Sequence, residues 1–487
     1  MIPIPRRTPI AGAAALAALA LTALGPAPAA AQAYDELSED VKEVVAVSEP
    51  EVALVGVRVV DGTGAPAAED RTVLIRDGRI AAVGPAGEVE VPEEARRMEL
   101  DGHTVIPGLV GLHDHSFYTT PERKVQSSYS APRLYLAGGV TTARTTGSIA
   151  PYDEINLRSS IRAGEVPGPR MVITGPYISG GEDDALSRVR TTSPGQARRV
   201  VDYWVSEGVE WFKFYTGVSR GALAAAVEAG HERGAQFTGH LCSVTFREAV
   251  DRGIDNLEHG FLTNTGWVEG KEPDRCPSAE KRYASLRRVE IDGPAVDSTI
   301  AAMVENGVAL TTTPAVYELF VPNRPPLRQR TLNAMAPAAR EEYLASREEI
   351  AGNPDAAIAE ELFLKSLAFD RAFFEAGGLL AAGVDPTGNG GALFGFGDQR
   401  NFELLREGGF STAETVQVMT LNGARVLGME EEIGSVEAGK RADLVVLEGD
   451  PADPETEIRQ VRLVFKEGVG YDPEPLIEAV RGAVGIR

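Results

Sequence analysis

His113 and His115 flank Asp114 at the end of the apolar run Val105-Ile106-Pro107-Gly108-Leu109-Val110-Gly111-Leu112. Side chains on a strand alternate with period two, so both imidazoles point to one side and offer two nitrogens to one cation. Imidazole suits zinc and related transition metals. The spacing alone is a weak signal, and the rest of the chain gives it weight. Of six histidines, His240 and His259 also end strand-like runs. His103, in the Asp101-Gly102 turn, and His231, at a polar helix end, read as structural. Any one of the four taken singly reads better as a surface or satisfied core histidine.

Lys213 lies within Trp211-Phe212-Lys213-Phe214-Tyr215. A lysine flanked by aromatics on a strand is costly unless it is neutralised or paired. Desolvation lowers its pKa, and a free amine can take up carbon dioxide to become a carbamate, a carboxylate able to bridge two cations. The other reading is a lysine whose head reaches out to solvent. Asp385 follows Leu379-Leu380-Ala381-Ala382-Gly383-Val384, where it is either a ligand and general base or an ordinary helix N-cap. Tyr215, two residues past Lys213 and so on the same strand face, is either a hydrogen-bonding partner for substrate or a packing aromatic.

These residues need elements to position them, and the chain supplies a regular series. Strand-like runs cover the residues up to His115, then 139–142, 170–174, 209–215, 235–240, 254–259, 308–313 and 379–384, with helical stretches such as 221–234, 243–253 and 296–306 between them. Eight β/α units predict an α/β fold, a (β/α)8 TIM-like barrel over residues 107–424. In such a barrel every strand's C-terminal end points to one face, where active sites assemble. Strands one, five and six would then deliver His113, His115, His240 and His259 to one mouth, with Lys213 from strand four and Asp385 from strand eight. Residues 260–295 and 317–370 exceed normal loop length and predict lids or helical insertions. Short strands joined by tight turns in 51–106 and again in 425–470 are each too few to bury a core, so they are expected to pair into one small domain built from both chain ends. Residues 32–50 read as a loosely held, acidic, helix-prone N-terminal segment and 471–487 as a C-terminal tail.

Residues 1–31 read as a signal peptide. Arg6-Arg7 precede the apolar stretch 10–24, and Ala29-Ala30-Ala31 offer a small-residue cleavage site; a retained anchor is the alternative. A secreted or periplasmic protein is therefore expected. The formal net charge of −23 argues against nucleic acid and anionic membranes as partners. The only cysteines are Cys242 and Cys276. In an oxidising compartment an even count of two predicts a disulfide between them, the alternative being two unpaired buried thiols.

Together, His113-Asp114-His115, Lys213, His240, Glu258-His259-Gly260 and Asp385 resemble the binuclear metal set of the amidohydrolase superfamily. The flanks are similar too: Thr104-Val105-Ile106-Pro107-Gly108-Leu109, Ile433-Gly434-Ser435-Val436 and Gly439-Lys440-Arg441-Ala442-Asp443-Leu444. The resemblance runs from Val52 to Phe465 and implies a distorted (β/α)8 barrel with a composite β-sandwich. It implies two divalent metal ions, zinc foremost. His113, His115 and Asp385 would hold one and His240 and His259 the other, bridged by carboxylated Lys213 and a hydroxide. Asp385 would act as general base and then acid.

Within the superfamily, Leu157-Arg158 to Arg170, Lys213-Phe214-Tyr215 and Asp255 to Gly260 resemble the imidazolonepropionase-like branch, which includes Xaa-Pro and Xaa-Arg/Lys dipeptidases and N-acyl amino acid hydrolases. Two segments depart from it: Thr142-Ala143-Arg144-Thr145-Thr146-Gly147, where relatives often carry Arg-Asp, and Thr238-Gly239-His240-Leu241-Cys242, where many have a small residue after the histidine. Both are expected at the barrel mouth. The expected function is amide hydrolysis of a dipeptide or N-acyl amino acid, with Tyr215 binding substrate and a homo-oligomer as a further expectation. The alternatives are a lactonase or esterase on the same centre, or a noncatalytic metal-binding scaffold.

Overall fold

The computed structural model describes residues 34–486 apart from 182–184, 186 and 454–455. The expected signal peptide lies outside the described residues. From Pro107 to about 428 the fold is α/β, with parallel strands separated by helices. The parallel strands are Leu109–Asp114, Val140–Thr145, Arg170–Val172, Trp211–Phe214, Gln236–Gly239, Asn256–Glu258, Ala309–Thr312 and Leu380–Ala382. Each overlaps one of the eight runs expected from the sequence. The second strand runs three residues further than expected, through Ala143-Arg144-Thr145, because Thr145 still pairs with Asp114 of the first. The last segment meets the first where the Asp385 N–H donates to the His113 carbonyl at 2.8 Å. Gly383 permits that approach, since a Cβ there would lie 2.1 Å from the His113 nitrogen.

Both chain ends build one nine-stranded sheet. Leu444–Glu448 pairs antiparallel with His103–Pro107, in register from Leu444 against Pro107 to Glu448 against His103. Asp77 and Gly78 both adopt positive φ, the geometry of a tight two-residue hairpin turn, so that Arg76 and Arg79 pair directly. Val52, Leu54, Val105, Val446 and Phe465 fill the sheet's core.

Three segments outside the regular units differ from or refine the expectations. The N-terminal segment is not loosely held. Leu37, Val41 and Val44 pack on Leu136, Tyr471 and Leu476, and Val45–Val47 adds a strand beside Val469–Tyr471. Burial of that apolar stripe outweighs the acidic character of the segment. The C-terminal tail is also tied down: Pro473–Ala479 is helical, and Val484 bridges to Met335. The two long connections contain helices, Ala279–Arg288 in the first and Gln329–Ala334, Pro337–Ala351 and Ala356–Glu375 in the second. No helix among the described residues is long and apolar enough to cross a membrane.

Candidate metal centre and substrate cavity

All six residues singled out for metal binding lie at or just past the C-terminal ends of parallel strands, as do Tyr215 and the disulfide-linked Cys242. His113 lies in the first strand and His115 immediately after it. Lys213 lies in the Trp211–Phe214 strand, while His240, His259 and Asp385 follow their strands by one, one and three residues. His259 and Asp385 both hold positive φ, at 68° and 47°. Neither is glycine, and strain of this kind costs on the order of 1–3 kcal/mol and concentrates at functional sites.

The tightest trio is His113, His259 and Asp385, whose ligand atoms lie within 4.8 Å of one another. Asp385 is the common partner. One carboxylate oxygen lies 3.5 Å from His113 Nε2 and 3.9 Å from His259 Nδ1; the other lies 3.4 Å from His115 Nε2. Lys213 Nζ sits 2.8 Å from His113 Nε2. His240 joins through a ring contact with His259 at 4.4 Å and stands 4.9 Å from the Tyr215 ring. This trio crosses the expected division into two ligand groups, because Asp385 reaches His259 as well as His113 and His115.

The electrostatics match a cation site. Burial, more than any neighbour, holds His115 down to about 4 and His240 to about 3, so both imidazoles are neutral, as ligands must be. Burial also pulls Lys213 down to about 8, so its free amine is far more accessible than in water. For Asp385 burial works upward, but His113, His115 and His259 outweigh it and hold the carboxylate well below its usual range. The buried Nε2 of His259 has no hydrogen-bond partner in the described residues. An orphaned lone pair among neutral imidazoles, a carboxylate and a deprotonatable amine fits a divalent metal donor set.

Beneath the centre lies a buried polar network. His113 Nδ1 contacts Glu258 Oε2 at 2.7 Å, and the other oxygen of Glu258 accepts from Arg144 at 2.7 Å, from Asn256 at 3.1 Å and from Thr238. Arg144 also donates to the Leu112 carbonyl and stacks 4.4 Å over Trp211. Burial would raise Glu258, but His113 and Arg144 bring it down to about 2. Thr313 Oγ1 lies 2.7 Å from His259 Nδ1, and the Tyr177 hydroxyl 3.4 Å from His115 Nε2. The sequence reading gave none of Arg144, Glu258, Thr313 or Tyr177 a role. One signal was available: Asn256 and Glu258, two apart on a strand, put two polar side chains on one face directly before a candidate ligand.

The departing segments lie mostly below the surface, with His240 of the second lining the substrate cavity. Arg144, Thr145, Leu241 and Cys242 are all buried, and the arginine faces down to Glu258. They alter packing beneath and beside the centre. Cys242 and Cys276 form a disulfide that ties the first insertion to the fifth strand's end.

Next to the centre opens a cavity of about 800 Å³. His240 and Asp385 form its floor, and its walls include Leu262, Val316, Tyr317 and Phe320 with Arg282 and Tyr283 of the first insertion. That volume suits a small organic molecule. Tyr215 borders the centre, packed edge-on to Tyr177 at 5.3 Å and under Arg188 at 3.8 Å.

The amidohydrolase family matches residues 104–470. Over 421 residues the chain is 24% identical to a 5-methylthioadenosine/S-adenosylhomocysteine deaminase of Symbiobacterium thermophilum, covering 78% of this chain and 81% of the relative. It is 24% identical to an imidazolonepropionase of Micrococcus luteus over 84% of this chain and 92% of that one. A solved Xaa-Pro dipeptidase with bound methionine in its active site shares the fold, with a TM-score of 0.65 and 19% identity, over 87% of this chain and 100% of that one.

Proposed function

The chain belongs to the amidohydrolase family, in its imidazolonepropionase-like branch, and is a hydrolase acting on carbon–nitrogen bonds; from that premise we propose that it cleaves the amide of a dipeptide or N-acyl amino acid. The observation that carries this reading is the meeting of four imidazoles, Lys213 and Asp385 beside a cavity of about 800 Å³. The lysine separates it from single-metal deaminases, which do not need a bridging carboxylate.

His113, His115, His240, His259, Asp385 and a carbamate on Lys213 would hold two divalent cations, zinc foremost. When bound, the cations supply Lewis acidity to the attacking water and to the scissile carbonyl. Asp385, kept ionised by its imidazole neighbours, takes a proton from the attacking water at a carboxylate oxygen and delivers it to the leaving nitrogen. Tyr215 orients the substrate from beside His240. The parallel strands are read as a closed (β/α)8 barrel, supported by the bond between Asp385 and His113. Export is supported by Arg6-Arg7 and the apolar stretch after them, and by the disulfide.

Zinc-loaded protein should release free amino acids from a panel of dipeptides and N-acyl amino acids. Release from none of them, with hydrolysis of lactones or esters instead, would replace this reading with an esterase.

A further inference from the structure

Two arginines line the cavity, and the catalytic scheme uses neither. Arg282, on the insertion helix Ala279–Arg288, lines the same cavity as His240 and Asp385. Its Nε is buried and has no hydrogen-bond partner in the described residues. The other lining arginine, Arg287, is already paired with Glu361 at 3.0 Å.

A half-buried guanidinium donor without an acceptor costs free energy unless something supplies an anion. Leu262, Val316, Tyr317 and Phe320 make an apolar and aromatic wall in the same cavity, which Glu280 and Asp355 also line. Guanidinium matches a carboxylate in bidentate geometry, and the adjoining surface suits a bulky apolar group.

We propose that Arg282 is the specificity-determining residue that binds the free carboxylate of the substrate's amino-acid half, and that the preferred class is N-acyl amino acids with an apolar or aromatic side chain. This rests on the amide-hydrolase reading above. The disulfide between Cys242 and Cys276 anchors the chain just before the helix that carries Arg282, so carboxylate recognition comes from an inserted segment.

The test compares N-acetyl-L-phenylalanine with its neutral analogue N-acetyl-L-phenylalaninamide on wild type, Arg282→Gln and Arg282→Lys, all zinc-loaded. Wild type should favour the acid in kcat/KM by roughly tenfold or more, the scale of a desolvated charge pair. Arg282→Gln should abolish that preference, chiefly through a higher KM for the acid, and Arg282→Lys should restore part of it. Equal loss on both substrates, or no change on either, overturns the proposal. If wild type cleaves neither, the amide-hydrolase reading fails separately. Calorimetric binding of N-acetyl-L-phenylalanine to wild type and Arg282→Gln then decides the role of Arg282: weaker binding to the variant supports it, and equal binding overturns it.

Discussion

Glu258 fixes the tautomer of His113: its Oε2 accepts the Nδ1 proton at 2.7 Å, which leaves the Nε2 lone pair facing the centre. A carboxylate behind a ligating imidazole orients the ring and raises its basicity, and losing it costs roughly 10- to 100-fold in metal affinity. Glu258→Gln should show a loss of that size by chelator competition. The variant should also lose on the order of 3–5 kcal/mol in stability, because Arg144 keeps its buried charge without its partner. Wild-type metal affinity in a folded Glu258→Gln would contradict this orientation role.

Lys213 is fully buried with its amine between His113 and the Tyr177 ring. If it works as a carbamate, Lys213→Ala removes a bridging carboxylate and leaves a space of matching size. Activity should fall by roughly 1,000-fold or more, the order expected for several kcal/mol of lost charge stabilisation. Added formate or acetate should restore part of it by occupying the space, whereas chloride at equal ionic strength should not. Equal responses to both salts would assign Lys213 a packing role.

The ligands were legible because a strand's period and its end are sequence properties: a residue at the tip of an apolar run has one place to go. Arg144 and Glu258 were not, because their pairing depends on two strands 114 residues apart meeting across the interior. Arg282 was hidden for the same reason, since an insertion's helix can be read from sequence but the cavity it closes over cannot. The N-terminal segment was misread for a different reason. Leu37, Val41 and Val44 form a helix-spaced apolar stripe that was visible, and the surrounding acidic residues obscured it.

Asp370 predicts a pH dependence away from the centre. It is fully buried, accepts from Thr312 Oγ1 at 2.5 Å, and is raised by burial to about 8. The unfolded chain gives up this proton near the usual carboxylate pKa and the folded one only near 8, so the folded state binds more protons between those values. Its contribution is complete below the unfolded pKa and disappears as pH rises through about 8. Thermal melts of Asp370→Asn should therefore depend less on pH than wild type between pH 5 and 9, the variant gaining relative to wild type toward the alkaline end. Parallel curves would mean that the carboxyl is ionised in the folded protein.

The bridge between Cys242 and Cys276 closes a loop with a sequence separation of 34 residues. By chain entropy, its removal should cost about 3–4 kcal/mol through the unfolded state. Cys276 is the exposed end and Cys242 the buried one, so Cys276→Ser opens the loop without disturbing the packing at the fifth strand. The same loop leads into the helix bearing Arg282, while His240 and Asp385 stay anchored on strand ends. Opening it should raise KM for an acidic substrate several-fold and leave kcat nearly intact, since the reacting groups do not move. Steady-state kinetics of Cys276→Ser beside wild type reads the split directly. A fall in kcat with KM unchanged would place the insertion's contribution in the chemistry and not in holding substrate.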